Sequence, residues 1–477
     1  MVDQTTAELK AKDEVVADRA TEHRPDPARR HLAEASLHTI VVVGGGAAGL
    51  ELATKLGDTL GRRRQAAVAL IERSRGHLWK PLLHEVAAGS MDPDEHELDY
   101  LAQAHWHHFR FRFRFRFRFR YGEMAGLDRA GKEVLLAPTF DEEGREITPR
   151  RSFRYDTLVI AIGSVTNDFG TPGVKEHAIA LETPEQAVRF HQRLVNACLR
   201  AHAQEGPVRP GQLHVAIIGA GATGTELSAE LHRTARAVIA YGLDRVDPEK
   251  DIKITLIEAA DRILPGLPPR VSVAALELLR NLGVEVRIGA RVSEVRTDGV
   301  LLADGGFIPA ELVVWAAGVK GPDILRELDL ELSRSNQLIV LPTLQTTRDP
   351  DIFAIGDCAW CPRPGHDGPV PPRAQAAHQQ ASHLRAQLRR RLEGQTLAPF
   401  VYKDFGSLVS FGEYSTVGNL MGFLAGKSMM IEGYFARLMY RSLYKMHEQA
   451  LHGTARTTLT SIARTLTRRT EPRVKLH

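Results

Sequence analysis

Short apolar runs alternate along this chain with stretches in which apolar residues recur every three or four positions. Ile40-Val41-Val42-Val43 is one such run, short and β-branched, and reads as a buried strand. Gly44-Gly45-Gly46-Ala47-Ala48-Gly49 follows, and Leu50-Glu51-Leu52-Ala53-Thr54-Lys55-Leu56 then takes helical spacing. A second apolar run, Ala66 to Ile71, ends on Glu72. The same order of strand, glycine turn, helix, strand and acid returns later. Val215 to Ile218 leads into Gly219-Ala220-Gly221-Ala222-Thr223-Gly224-Thr225-Glu226, and Ile254 to Ile257 ends on Glu258. Two further strands end on small-residue turns, Leu158 to Gly163 and Leu312 to Gly318. Asp351 to Asp357 is a last short strand closing on Gly-Asp, and helices are expected over 184–200 and from Arg373 onward.

This alternation predicts an α/β protein with two Rossmann-like dinucleotide-binding domains, the second inserted in the first, followed by a C-terminal amphipathic helical region. The expected units are a disordered leader at 1–35, a first domain at 36–178, an inserted domain at 179–341, the return of the first domain at 342–412, and a C-terminal region at 413–477. In each glycine turn the three glycines have separate tasks. Gly44 and Gly219 turn the chain tightly off the strand. Gly46 and Gly221 let a pyrophosphate approach the backbone, and Gly49 and Gly224 let helix and strand pack closely. The helix N-terminus offers N–H groups to the phosphates. Glu72 and Glu258 stand where an acid accepts from a ribose hydroxyl. One such motif can be no more than a tight turn. Two in one chain turn the question to what passes between them.

Composition narrows the class. The chain has 477 residues, 43% hydrophobic and 25% charged, as in ordinary globular proteins. Three cysteines cannot make a disulfide framework, which favours a reducing compartment. Cys358 and Cys361 form a CxxC, but without a second pair it is weak ground for zinc, and no metal is expected. No stretch is long and apolar enough to span a bilayer. The first 35 residues lack the apolar core of a secretory signal. The net charge of +4 is unevenly spread. Phe-Arg repeats six times over 109–120, a strand-like alternation. It reads as an expanded amphipathic edge strand, or else as a basic strip for an anionic surface. Residues 434–477 are also basic. Tyr434, Phe435, Leu438, Met439, Leu443 and Met446 fall on one helical side, with Arg437, Arg441 and Lys445 on the other. Such a helix either lies on a membrane or docks on the protein with its basic face solvated.

Other segments hold candidate chemistry. Gly76 to Ala87 reads either as an amphipathic helix or as the place where Lys80 and Pro81 cross the reactive end of a cofactor. Gly163 belongs to a small-residue turn that backbone and cofactor can share. Asp357 is a carboxylate at the carboxyl edge of a sheet. Arg373-Ala374-Gln375-Ala376-Ala377-His378-Gln379-Gln380 opens a helix whose N-terminus favours negative charge. Gln375 and His378 either serve there or simply solvate a helix face.

Together these motifs, in this order, resemble the two-dinucleotide-binding-domain flavoproteins, and among them the type II NADH dehydrogenases, the single-subunit NADH:quinone oxidoreductases. The resemblance spans roughly residues 36–450. It implies FAD at Gly44, Gly46, Gly49, Glu72, Lys80, Gly163, Asp357 and Gln375. It implies NADH at Gly219, Gly221, Gly224, Glu226, Glu258 and Gly318. Gln375, His378, Gln379 and Glu226 become the candidate catalytic residues, with the first three lining a quinone slot, and ubiquinone is the expected quinone. The implied reaction is hydride transfer from NADH to FAD, then two-electron reduction of the quinone without proton pumping. Its implied setting is the lipid surface at the cytoplasmic side of the cell membrane, reached through residues 434–477. The resemblance admits a homodimer and implies no nucleic-acid partner. Rivals are a ferredoxin reductase, a sulfide:quinone oxidoreductase, a pyridine nucleotide–disulfide reductase, or a flavin-bearing membrane-associated binding protein. The disulfide reductase needs a redox cysteine pair, and neither glycine-turn helix holds a cysteine.

Overall fold

The computed structural model describes residues 37–105, 117–410, 416–421, 428–432, 445–451 and 453–467. The expected disordered leader, the first eight residues of the Phe-Arg run and most of the basic helix proposed at 434–447 lie outside these residues. Two five-stranded parallel sheets organise what is described. The first runs Ile352–Ala354, Thr157–Ile160, His38–Val43, Ala66–Glu72, Arg118–Tyr121. The second runs Ile179–Ala180, Leu312–Trp315, His214–Ile218, Lys253–Ile257, Glu285–Arg287. The glycine-turn strand is central in both. Parallel strands covered on both faces read as continuous apolar runs, which is why these two strands were visible in the sequence. The strand order reverses at each central strand, and that opens a crevice at its carboxyl end.

The Phe-Arg run enters the first sheet through its last residues. Arg118–Tyr121 pairs in parallel with Ala66–Glu72, placing Phe119 opposite Leu70. Phe117 and Phe119 are buried, and Arg118 and Arg120 are half-buried, as strand alternation requires. Phe119 stacks on Tyr100 with ring centroids 5.2 Å apart, and the Tyr100 hydroxyl donates to Gly45 O at 2.8 Å. The end of the repeat therefore braces the first glycine turn.

Two boundaries differ from expectation. Leu325, Leu328, Leu330 and Leu338 pack into the core of the first domain. The chain thus returns soon after Lys320 rather than after 341. Those leucines follow the second domain without a break in composition, so only their packing reveals the change. The C-terminal region, expected to be helical from 413, begins instead with an antiparallel sheet of Gly406–Ser410, Thr416–Met421 and Ser428–Glu432. A helix follows at Thr454–Thr467. Among the described residues no helix is long and apolar enough to cross a membrane.

Candidate active site at the two glycine turns

The two glycine turns are near copies in space. Gly44 has φ +100° and Gly219 φ +99°, a region closed to most side chains. A Cβ on Gly44 would lie 2.3 Å from Ala161 O, and one on Gly219 would lie 2.6 Å from Ala317 Cα. A Cβ on Gly49 would meet Gly44 O at 1.9 Å, and one on Gly224 would meet Gly219 O at 2.0 Å. Gly46 and Gly221 differ from all of these, because a Cβ there meets nothing within 4 Å. The helices they begin, Ala47–Leu56 and Ala222–Ala240, have no side-chain cap. Each turn is thus a cradle of backbone donors facing open space, which fits a dinucleotide pyrophosphate.

The acids at the ends of the second strands are also matched. Glu72 accepts from the N–H groups of Gly45 at 2.5 Å, Arg73 at 2.8 Å and Ser74 at 3.1 Å. Glu258 accepts from Ala220 at 2.8 Å and Ala260 at 2.9 Å. An ionised carboxylate has about four acceptor positions, so Glu258 keeps more capacity for ribose hydroxyls than Glu72 does. Arg262, the cation nearest Glu258 in sequence, donates to Pro265 O and Leu267 O at 2.7 and 2.9 Å.

Facing small-residue turns bring the two crevices together. Just past Gly163 and Gly318, Val165–Thr166 pairs antiparallel with Val319–Lys320. Asn167 N–H donates to Gly318 O at 3.3 Å, and Trp315 Nε1 donates to Asn167 O at 2.9 Å. Gly163 and Gly318 both have φ near +70°, so the clasp needs glycine on each side. Beside it, the Ser164 hydroxyl donates to Asp357 at 3.0 Å. Burial pushes the Asp357 carboxyl up, against the pull of the Ser164 hydrogen bond and the exposed Lys80. Lys80 itself opens a short turn ahead of the helix Leu83–Ala88. Its charge acts on the Asp357 carboxyl.

The residues expected at the quinone slot separate into two groups. The Gln375 amide donates to Gly406 O at 2.9 Å and accepts from Phe405 N–H at 3.2 Å. Gln379 donates to Lys403 O at 2.8 Å and accepts from Lys403 N–H at 2.9 Å. One turn apart on the helix Ala374–Leu392, they staple segment 403–406 to it. His378 points elsewhere. Its Nδ1 pairs with the buried Glu51 of the first glycine-turn helix, and its ring stacks on Trp79 with centroids 5.4 Å apart. Burial works to raise the Glu51 carboxyl, but His378 and Lys55 outweigh it and hold it below the usual carboxylate range. Glu226 is buried where the two domains meet, accepting from Ser410 N–H at 3.0 Å, with His84 Nδ1 3.7 Å away.

Sequence reasoning missed Glu51, Trp79, His77, His84, Tyr100 and His447. His447 Nε2 lies 3.0 Å from His77 Nε2, and the His447 ring sits 3.9 Å from Trp79. No spacing rule joins residues so far apart. Only Glu51 had a usable signal, a carboxylate placed early in a helix otherwise reserved for packing. Cys358 and Cys361 are both buried, and burial pushes both thiols up to about 12. They pack as small apolar residues rather than as a reactive pair. Among the described residues no group of three metal-ligating side chains occurs.

His84 makes a testable contribution to stability. Burial lowers its pKa from 6.5 to about 4, outweighing the pull of Glu230. The unfolded chain therefore binds a proton in this window that the fold refuses. The stability from a neutral His84 is complete above pH 6.5 and lost as pH falls toward 4. Each pH unit in that window is worth up to about 1.4 kcal/mol. The denaturation midpoint of wild type should drop across it, and His84→Gln should flatten the slope.

Matched parallel sheets, twin phosphate cradles and a clasp joining their carboxyl edges define an oxidoreductase with two dinucleotide sites. The chain belongs to the pyridine nucleotide-disulphide oxidoreductase family, whose model matches residues 38–381, and within it to the type II NADH:quinone oxidoreductases. It is 40% identical to the type II NADH:quinone oxidoreductase of Haemophilus influenzae, covering 92% of this chain and 100% of that protein. It is 29% identical to type II NADH:quinone oxidoreductase Ndh of Mycobacterium tuberculosis, over 80% of each. Its fold matches the structure of NDH2 from Plasmodium falciparum in complex with NADH. The TM-score is 0.77 at 17% identity, covering 91% of this chain and 99% of that one.

Proposed function

We propose that this chain oxidises NADH and delivers the two electrons, through bound FAD, to a membrane quinone. The clasp between Val165–Thr166 and Val319–Lys320 carries this reading, because it turns the two dinucleotide crevices toward each other. When bound, FAD supplies a two-electron acceptor that can also pass electrons onward. The chain supplies position and charge. Gly46 would leave room for the FAD pyrophosphate in the turn that Gly44 and Gly49 shape, Glu72 would meet its ribose, and Gly163, Asp357 and Lys80 would stand toward its reactive end. Gly221 would leave room for the NADH pyrophosphate in the turn that Gly219 and Gly224 shape, Glu258 would meet its ribose, and Gly318 would hold the clasp beside it. Glu226 braces the junction of the two domains, and His378 faces the quinone, with Gln375 and Gln379 fixing the wall beside it.

The quinone, proposed to be ubiquinone, is reached at the cytoplasmic face of the cell membrane. Support comes from the C-terminal helices. His447 and Leu451 are buried against the first domain, while Met446, Leu459 and Ile462 are exposed. Apolar exposure beside a basic tail suits an anionic leaflet. The test is NADH-driven quinone reduction on vesicles containing anionic lipid. Leu459→Glu with Ile462→Glu should cut vesicle cosedimentation about tenfold and spare turnover with a short-chain soluble quinone. Equal vesicle binding by the variant would remove the membrane part of the reading. NADH turnover with a reduced iron–sulfur protein as product, and none with quinone, would favour a ferredoxin reductase.

A further inference from the structure

The overall reaction needs a proton that NADH does not carry. NADH gives up two electrons and one proton as hydride, while the quinone takes two electrons and two protons to become quinol. The balance is NADH plus quinone plus one proton from water, giving NAD+ and quinol. A route from water to the quinone is therefore required, and polar side chains line the helix crossing between Ala47–Leu56 and Ala374–Leu392.

Ser382 is exposed and Lys55 half-buried at the outer end of this crossing. Lys55 Nζ donates to Ser382 Oγ at 3.0 Å, and Ser382 Oγ donates to Glu51 at 3.3 Å. Lys55 also pairs directly with Glu51. Glu51 is buried, and its other oxygen meets His378 Nδ1. With Nδ1 committed to a carboxylate, the imidazole exchanges protons with a substrate through Nε2. The ring is fixed in plane by its stack on Trp79, with His447 close by at 5.3 Å between centroids. A buried carboxylate joining an exposed hydroxyl and a half-buried ammonium to a half-buried imidazole has the connectivity of a relay. A packing role alone gives no reason to place a carboxylate here.

We propose that Ser382, Lys55, Glu51 and His378 form the proton entry for quinone reduction, with His378 as the donor to the quinone and Glu51 as the positioning and relay residue behind it. The relay rests on the quinone reading given above. Paired with the ionised Glu51, His378 gives its Nε2 proton to a quinone oxygen; the remaining ring proton then shifts to Nε2, and Glu51 takes a proton from water through Ser382 and Lys55 and passes it to Nδ1, which restores both the donor and the carboxylate.

The test compares two acceptors for the same NADH-reduced holoenzyme. Ferricyanide takes electrons singly and needs no proton, whereas quinone needs both. Glu51→Gln keeps the size and the hydrogen-bonding capacity of the side chain but cannot relay a proton as a carboxylate. It should retain bound flavin and ferricyanide turnover and lose at least about a hundredfold in quinone turnover, the low side of what a positioned proton donor contributes. Its solvent deuterium isotope effect on quinone turnover should rise. Glu51→Asp should recover part of the rate. Independently of turnover, infrared difference spectra taken on quinone reduction should contain a carboxyl band in wild type that Glu51→Gln lacks. Wild-type quinone turnover and isotope effect in Glu51→Gln would overturn the relay, as would equal loss with both acceptors. If wild type reduces ferricyanide but no quinone, the quinone reading itself fails before any variant is compared.

Discussion

Gly46→Val should fold normally and come out colourless. A Cβ at this position meets no protein atom within 4 Å, so the side chain intrudes only on the space left for a pyrophosphate. Gly49→Val should behave in the opposite way. Its Cβ would lie 1.9 Å from the backbone oxygen of Gly44, which cannot swing aside as a side chain could. Overpacking of this kind costs about 1–3 kcal/mol or more, and should lower the melting temperature of the flavin-free protein. The twin substitution in the second turn, Gly221→Val, should leave a yellow protein whose flavin NADH no longer bleaches. Flavin absorbance, thermal denaturation of the apoprotein and anaerobic NADH titration read out all three. A stoichiometrically flavinated Gly46→Val would show that the first turn is not the FAD cradle.

Glu258→Gln should lower kcat/KM for NADH and narrow the preference for NADH over NADPH. The carboxylate accepts from two backbone N–H groups and retains capacity for ribose hydroxyls, and its charge opposes a 2′-phosphate. A hydrogen bond to a charged group contributes about 1.5–3 kcal/mol, so the loss for NADH should be about ten- to a hundredfold. Arg262 stands four residues from Glu258, near enough in sequence to draw a phosphate in. Its guanidinium is instead spent on the carbonyls of Pro265 and Leu267. Wild type should therefore discriminate strongly against NADPH in steady-state kinetics. Comparable efficiency with both nucleotides would refute this assignment.

The glycine turns and acids were legible because their demands are local. A strand, a tight turn and a helix start occupy consecutive residues, and Gly44, Gly46 and Gly49 are dictated by backbone geometry within a few ångströms of themselves. The Gly163 and Gly318 turns were legible for the same reason, though not that they meet. Glu226 was singled out from its place after the second turn, yet its partners, Ser410 N–H and His84, come from segments far along the chain. Gln375, His378 and Gln379 looked like one polar cluster in sequence. Helical spacing leaves all three near one side of the helix; their partners separate them, segment 403–406 taking the two glutamines and Glu51 taking His378.

The sequence by itself determined the class of fold, the two glycine turns and the acid that ends the second strand after each. These depend on backbone conformations that only certain residues tolerate, and on periodicities that survive without knowledge of neighbours. Tertiary structure alone decided that the carboxyl edges of the two sheets are clasped together, that the chain rejoins its first core near Lys320, that strands precede the C-terminal helices, and that Glu51 stands behind His378. Each of these joins residues remote in sequence. Burial and long-range packing select such partners, and no local pattern records them.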